Sequence, residues 1–316
     1  MKIIGTGSAL PALAVTNDML SEFLDTNHEW IFTRTGIAQR RIISNETLVE
    51  LSVSAAQSAL ENAKLKAEDL DLIICANIAN QYVTPALSCI VQGKIGANCP
   101  CFDINSACSG FIFAMDIADS YLNRGTVKNI LIICADEISK IVNWNTRDTS
   151  VLFGDGAGAI VVTQGENLKS IHLATTSAVE PLFCLNEIVN TPFSQIESVA
   201  VAGLSMNGKD VYKMAVNAAI RDINTVMNRA NVIQKEISFY LLHQANLRIL
   251  ETIREYLGEN DEKFPKNIHK YGNTSAASIP ILLDEMNREG QLKKGNLLVM
   301  CAFGAGFSSG ACVVEW

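Results

Sequence analysis

Apolar residues in this chain follow two patterns. Runs such as Leu70-Asp-Leu-Ile-Ile-Cys-Ala76 and Asn129-Ile-Leu-Ile-Ile-Cys-Ala135 are short and almost uniformly apolar. They predict strands buried on both faces, as in a parallel sheet. Residues 1–5, 101–104, 239–242 and 297–301 read the same way. Between them the pattern shifts to a helical period. Amphipathic helices are predicted over residues 48–63, 210–231, 245–257 and 275–288. A short helix is expected over 17–24 with Asn17 as its cap, and Pro85 is expected to open another. Residues 109–122 contain no Pro and one Gly, and apolar side chains cover nearly the whole circumference. That stretch predicts a central helix buried on all sides. Phe153-Gly-Asp-Gly-Ala-Gly-Ala reads as a Gly-rich turn running into a strand. Residues 165–205 carry little periodic signal.

The pattern repeats. Leu72-Ile-Ile-Cys75-Ala-Asn matches Tyr240-Leu-Leu-His243-Gln-Ala, 168 residues later. Asn105-Ser-Ala-Cys108-Ser aligns with Asn273-Thr-Ser-Ala276-Ala, and Met115-Asp116 with Leu283-Asp284, at the same spacing. Ile130-Leu-Ile-Ile-Cys134-Ala meets Leu297-Leu-Val-Met-Cys301-Ala at 167. Four matches in order at a nearly constant shift predict two copies of a β-α-β unit packed back to back. Residues 1–165 form one half and 166–316 the other. No Gly-, Ser- or Pro-rich linker separates them, so one compact body is expected.

Composition narrows the function. The 316 residues suffice for a large core, and the apolar fraction of 48% suits an α/β interior. A net charge of −8 without a basic run argues against a nucleic-acid partner. No window reaches membrane-spanning length, and the first residues do not form a signal peptide. Nine Cys, an odd number scattered through apolar strands, point to buried thiols in a reducing cytoplasm rather than to disulfides. Cys99 and Cys101 lack a second Cys or His pair, so no metal site is expected.

Three residues carry candidate chemistry. Cys108 stands where a strand becomes the central helix. Free N–H groups and the helix dipole at that point would lower its pKa and favour a thiolate nucleophile. His243 follows an apolar strand and precedes a helix, where ligands of α/β sheets bind. Asn273 begins the helix matching that of Cys108. Singly, each has an ordinary structural explanation: a small core residue, a ring packed in a turn and a helix N-cap. Together they place a nucleophile, an imidazole and an amide at matched ends of repeated units.

This combination resembles the β-ketoacyl-acyl-carrier-protein synthase III family of the thiolase superfamily. The resemblance spans the chain through Glu29-Trp-Ile-Phe-Thr-Arg-Thr-Gly-Ile, Cys108-Ser-Gly-Phe, Phe153-Gly-Asp-Gly-Ala-Gly-Ala, His243-Gln-Ala-Asn-Leu-Arg, Tyr271-Gly-Asn-Thr-Ser-Ala-Ala-Ser and Ala302-Phe-Gly-Ala-Gly-Phe. It implies an α/β thiolase-like fold, a five-layer α-β-α-β-α sandwich, and a decarboxylative condensation. Cys108 would take an acyl group from an acyl-coenzyme A and pass it to malonyl-acyl carrier protein, with His243 and Asn273 meeting the enolate charge. Backbone N–H groups of Cys108 and Ala305 would form a second oxyanion hole. The resemblance further assigns Trp30, Arg34, Arg147 and Asn246 to coenzyme A, with Trp30 and Arg147 sandwiching the adenine. It assigns Lys213 and Arg248 to the carrier protein, and Thr84 and Phe153 to the acyl pocket. No metal or redox cofactor is implied. A homodimer pairing strands near residues 100–104 is implied, with Thr84 reaching into the partner's pocket. The alternative is a related acyltransferase or starter-condensing enzyme of a secondary-metabolite pathway. Two departures from the family pattern are Thr84, where a bulky aromatic is usual, and Ser309, where Trp is common.

Overall fold

In a computed structural model of the chain, which describes residues 1–186, 193 and 203–316, the apolar runs become two sheets of matching topology. The first half supplies β1 (Lys2–Ala9), β2 (Leu13–Thr16), α1 (Asn17–Ser21), α2 (His28–Thr35), β3 (Gln39–Ile42), α3 (Leu48–Ala63), β4 (Leu72–Ala76), α4 (Leu87–Ile95), β5 (Cys101–Ile104), α5 (Gly110–Asn123), β6 (Asn129–Asp136), α6 (Arg147–Ser150) and β7 (Gly156–Thr163). The second supplies β8 (Leu168–Ala178), β9 (Leu182–Phe183), β10 (Ser205–Met206), α7 (Gly208–Ala230), β11 (Ile237–Leu242), α8 (Leu247–Leu257), α9 (Ile268–Tyr271), α10 (Ser278–Arg288), β12 (Leu297–Gly304) and β13 (Gly306–Glu315).

The strand order is β1-β7-β6-β4-β5 in one sheet and β8-β13-β12-β11 in the other. β4 and β6 are parallel, as are β11 and β12, and every other neighbour pair within β1-β7-β6 and β8-β13-β12 is antiparallel. The repeat read from the sequence is therefore a repeat of topology. It breaks at one place. Where the first half has the edge strand β5, the second has the short helix α9.

Five layers result. α3 and α4 cover the outer face of the first sheet, and α7 and α8 the outer face of the second. α5 and α10 fill the space between the sheets, and there Phe111, Met115, Ile279 and Leu283 join Ile132, Met300 and Cys312 in one core. This is why residues 109–122 are mostly apolar: α5 has a sheet on either side, with the exposed Ser120 near its C-terminal end. Gly5 and Gly7 let α3 lie directly on β1, since a Cβ at Gly5 would come within 2.3 Å of the Ala59 carbonyl.

Several local expectations are corrected. Thr16, not Asn17, caps α1 by accepting from Met19 N; Asn17 is buried and donates its amide to Ile37 O at 2.8 Å. A polar pair of strands, β2 and β3, interrupts the first half, and its polar sequence hid it. β8 lies in the weakly patterned 165–205 region, because its mixed exposure gives no clean alternation; residues 187–192 and 194–202 of that region lie outside the described residues.

Phe111 has no solvent exposure. Replacing it with Ala should cost about 3–5 kcal/mol through lost burial and a cavity between the sheets. Leu13→Ala, at a side chain 38% exposed, should stay within about 0.5 kcal/mol. Urea unfolding of both variants checks the difference.

Candidate active site

Cys108, His243 and Asn273 line one cavity of about 110 Å³. The remaining lining is largely apolar and includes Leu152, Phe153, Met206, Tyr212, Ile249, Phe303 and Phe307. Its position follows from the duplication, because loops at the matched ends of β4/α5 and β11/α10 converge between the sheets.

The nucleophile's backbone is constrained. Cys108 sits in a single 3-10 turn, Ala107–Ser109, immediately before α5. Ala107 is held at φ 47, a left-handed conformation that non-glycine residues rarely adopt. Its counterpart 168 residues later, Ser275, has φ 54 and also opens a 3-10 turn, Ser275–Ala277. In both copies the preceding Asn holds the turn: Asn105 Oδ1 accepts from Ala107 N at 3.2 Å, and Asn273 Oδ1 accepts from Ser275 N at 2.8 Å. That second bond fixes the Asn273 amide, occupying its oxygen and leaving the NH₂ as donor. Asn273 thus serves as a local cap and a site residue at once. Its main chain is tied to the Gly-rich turn, with Asn273 N donating to Leu152 O and Gly154 N to Asn273 O. The turn after Phe153 packs against the site and does not begin a helix.

Gly304 closes the other side. A Cβ there would lie 2.6 Å from Cys108 N and 3.2 Å from its Cα. The main chain at Gly304, at the end of β12, therefore runs directly past the nucleophile.

Burial governs the charges. The Cys108 thiol is pushed up to about 12 by desolvation, which the Ser275 hydroxyl only partly offsets. The lowered pKa expected from the helix start is thus overturned: removing water from a thiolate outweighs the dipole of one helix end. Ser275 Oγ–H donates to Cys108 Sγ over 3.4 Å. His243 is held neutral, its pKa lowered to about 3 by burial. Its Nδ1 lies 2.7 Å from Ser278 Oγ, which also accepts from Gln244 N at 3.3 Å, and Phe303 meets the ring edge-on. Ser275 and Ser278 were missed as site residues, although both lie inside the quoted Asn273-Thr-Ser-Ala-Ala-Ser segment.

Of the other sequence candidates, Phe153 and Asn246 line this cavity among the described residues, whereas Trp30, Arg34, Thr84, Arg147, Lys213, Arg248 and Ala305 do not. Asn246 Oδ1 caps α8 by accepting from Arg248 N. The guanidinium groups of Arg34 and Arg147 lie over the Trp30 ring at 4.7 and 4.6 Å from its centroid. Trp30 and Arg147 are therefore in direct contact, with no gap for a base between them. Arg147 also donates to Asp25 O at 2.8 Å. Lys213 is exposed on α7. Arg248 is exposed but donates to Thr33 O at 3.1 Å, joining α8 to α2. Thr84 does not line the cavity of its own chain; it is exposed on the loop bordering a separate hollow of about 830 Å³. No helix among the described residues is long and apolar enough to cross a membrane.

A five-layer duplicated α/β sandwich with a Cys, a neutral His and an Asn around one buried cavity defines a thiolase-fold condensing enzyme of the acyltransferase type. The models of the 3-oxoacyl-[acyl-carrier-protein] synthase III family match residues 102–178 and, for its C-terminal part, 227–316. A β-ketoacyl-[acyl-carrier-protein] synthase III of Clostridium acetobutylicum is 41% identical over all of this chain and 98% of its own length. The crystal structure of the Aquifex aeolicus 3-oxoacyl-[acyl-carrier-protein] synthase III superposes with a TM-score of 0.92 at 42% identity, covering 100% of this chain and 99% of that one. The priming β-ketosynthase of the R1128 polyketide pathway also superposes at 0.92, with 30% identity over 99% and 95% of the two chains. The chain belongs to the 3-oxoacyl-[acyl-carrier-protein] synthase III family.

The depressed His243 pKa has a consequence for stability. The unfolded imidazole binds its proton below about pH 6.5, whereas the folded ring resists it down to about pH 3. The unfolded state therefore holds more protons in that window, and stability falls as the pH falls. From pH 7 to pH 5 this group should cost about 2 kcal/mol. His243→Asn should remove that component, as read from urea midpoints at the two pH values.

Proposed function

We propose that this chain catalyses the condensation of an acyl-coenzyme A primer with malonyl-acyl carrier protein, giving a β-ketoacyl-acyl carrier protein and initiating fatty acid synthesis. The observation that carries the reading is the meeting of Cys108, His243 and Asn273 in one apolar cavity within a chain of this family. Cys108 attacks the primer thioester. The backbone N–H groups of Cys108 and Ala305 receive the tetrahedral oxyanion, a role supported by how closely Gly304 passes the nucleophile. Coenzyme A leaves, and the malonyl thioester enters.

Loss of carbon dioxide then builds negative charge on the thioester oxygen. Two neutral donors suit this step. Asn273 offers its NH₂, because its oxygen is taken by Ser275 N. His243 offers Nε2–H if Ser278 donates its hydroxyl proton to Nδ1. Gln244 N donates to Ser278 Oγ and leaves the hydroxyl proton available to Nδ1. A cavity lined mostly by apolar side chains strengthens both donors. The enolate attacks the acyl-cysteine and expels the sulfur.

The coenzyme A arm is assigned to Trp30, Arg34, Arg147 and Asn246. Asn246 on the cavity wall supports the pantetheine path. Adenine stacking requires the exposed Arg147 to swing off Trp30. Lys213 and Arg248 offer positive charge to an acidic carrier, with Arg248 doing so while anchored to Thr33. Phe153 shapes the acyl pocket. The open edge of β5, at the end of its sheet, supports a homodimer in which Thr84 faces the partner's pocket. The substrates supply the reacting groups, so we assign no cofactor, and we place the reaction in the cytoplasm. A second reading, favoured by the R1128 neighbour, keeps the same chemistry but primes a polyketide; relatives at higher identity favour fatty acid initiation.

Incubation with a panel of acyl-coenzyme A donors should add one acyl group to Cys108 by mass spectrometry. Malonyl-acyl carrier protein should then remove it as ketoacyl product. Cys108→Ala should take up no acyl group. Asn273→Ala should lower condensation by ~10²–10³ while acylation persists. An acylated Cys108→Ala variant, or no ketoacyl product from any primer, would overturn the reading.

A further inference from the structure

A carboxylate with no solvent exposure lies behind the nucleophile. β6 ends at Asp136, and its Oδ1 accepts from Ile78 N at 2.7 Å and Ala79 N at 3.3 Å. Oδ2 has no hydrogen-bond partner among the described residues, and the nearby Ser275 hydroxyl and Ala276 N–H act on the carboxylate to lower its pKa. Ser275 in turn contacts Cys108 Sγ at 3.4 Å. The Ser275 hydroxyl therefore stands between a buried thiol and an unsatisfied buried carboxylate oxygen. Its left-handed backbone puts it there, and such a conformation persists only where the surroundings over-determine it. The matching residue of the first half, Ala107, shares the conformation but has no hydroxyl. The bridge is thus a property of the second copy alone.

We propose that Asp136, acting through Ser275, accepts the Cys108 proton during acylation and supplies the proton that the sulfur regains when it is expelled. The inference rests on Cys108 being the nucleophile of the reaction above. Turning the Ser275 O–H toward Asp136 Oδ2 lets Oγ accept from the thiol. In the first half-reaction the sulfur forms a bond to the acyl carbon. Its proton passes to Ser275 Oγ, and the serine's own proton passes to Asp136. Coenzyme A leaves as thiolate and takes a proton from solvent. In the second half-reaction the enolate carbon bonds to the acyl carbon, and the S–C bond breaks with its electron pair going to sulfur. The protons then run back from Asp136 through Ser275. No oxidant, reductant or further reactant is required.

The electrostatics are consistent with this route. Burial pushes Asp136 up to about 6, closer to neutrality than an exposed Asp, where a proton acceptor works best at neutral pH. The titratable groups that feel its charge are the thiols of Cys75 on β4, Cys134 on β6 and Cys108.

A test of opposite signs is available. As a mere like-charged neighbour, the carboxylate hinders the Cys108 thiolate, and removing its charge should speed alkylation. As proton acceptor, its removal should slow it. The rate of Cys108 carbamidomethylation by iodoacetamide, followed peptide by peptide at pH 7, should fall ~10-fold or more in Asp136→Asn. Ser275→Ala should slow it too, and the double variant should be no slower than Asp136→Asn alone. An unchanged or faster rate in Asp136→Asn overturns the proposal, as does full additivity. If Asp136→Asn does not fold, the smaller neutral Asp136→Ser carries the same comparison. The alkylation readout needs no coenzyme A or carrier protein. A wild-type chain that alkylates by this route but forms no acyl-enzyme would overturn the proposed function and leave the proton route standing.

Discussion

Exclusion of water from the space between the two sheets sets the chemistry of everything placed there. Cys108, His243 and Asp136 are all buried, and each is driven towards its neutral form: the thiol upward, the imidazole downward and the carboxylate upward. Apart from Asp136, which at about 6 is still ionised at neutral pH, such a site does not rely on standing charges. It waits with neutral donors and a protonated thiol, and it pays for ions only as they form. Charge that does develop, on a tetrahedral oxygen or an enolate, then acts through a low dielectric on dipoles already fixed in place.

Duplication supplies that fixed geometry. Each copy leaves an element, β5 in the first and α9 in the second, turns through a left-handed residue held by an Asn, and starts a helix packed between the sheets. The same device is used for different purposes. The first copy presents a sulfur. The second presents an Asn on the wall of the same cavity and, at its left-handed residue, a hydroxyl in contact with that sulfur. Symmetry of fold with asymmetry of side chain turns two identical corners into one site.

Much of this was legible in the residues. Uniform apolar runs gave the central strands, and the all-round apolar stretch gave α5, because burial on both faces leaves no room for alternation. The spacing of 168 joined Cys108 to Asn273 before any contact was known. What stayed hidden had physical causes. β2 and β3 are polar, and β8 is exposed unevenly, so neither leaves a period. Ser275 and Ser278 look like helix-start residues; only their distances to Cys108 and His243 separate them from caps. The thiol's high pKa depends on how much water a fold removes, which no local pattern records. The contacts of Arg248 with Thr33 and of Arg147 with Trp30 join segments far apart in sequence, and nothing near either residue announces them.

The close passage of Gly304 beside Cys108 bears on how the protein is made. Cys108 lies about a third of the way along the chain, whereas the wall against which it is held belongs to β12 and β13, with Gly304 196 residues further on. Until that hairpin docks, the chain has its cysteine but an incomplete pocket, since Phe303, Gly304 and Phe307 are missing from its wall.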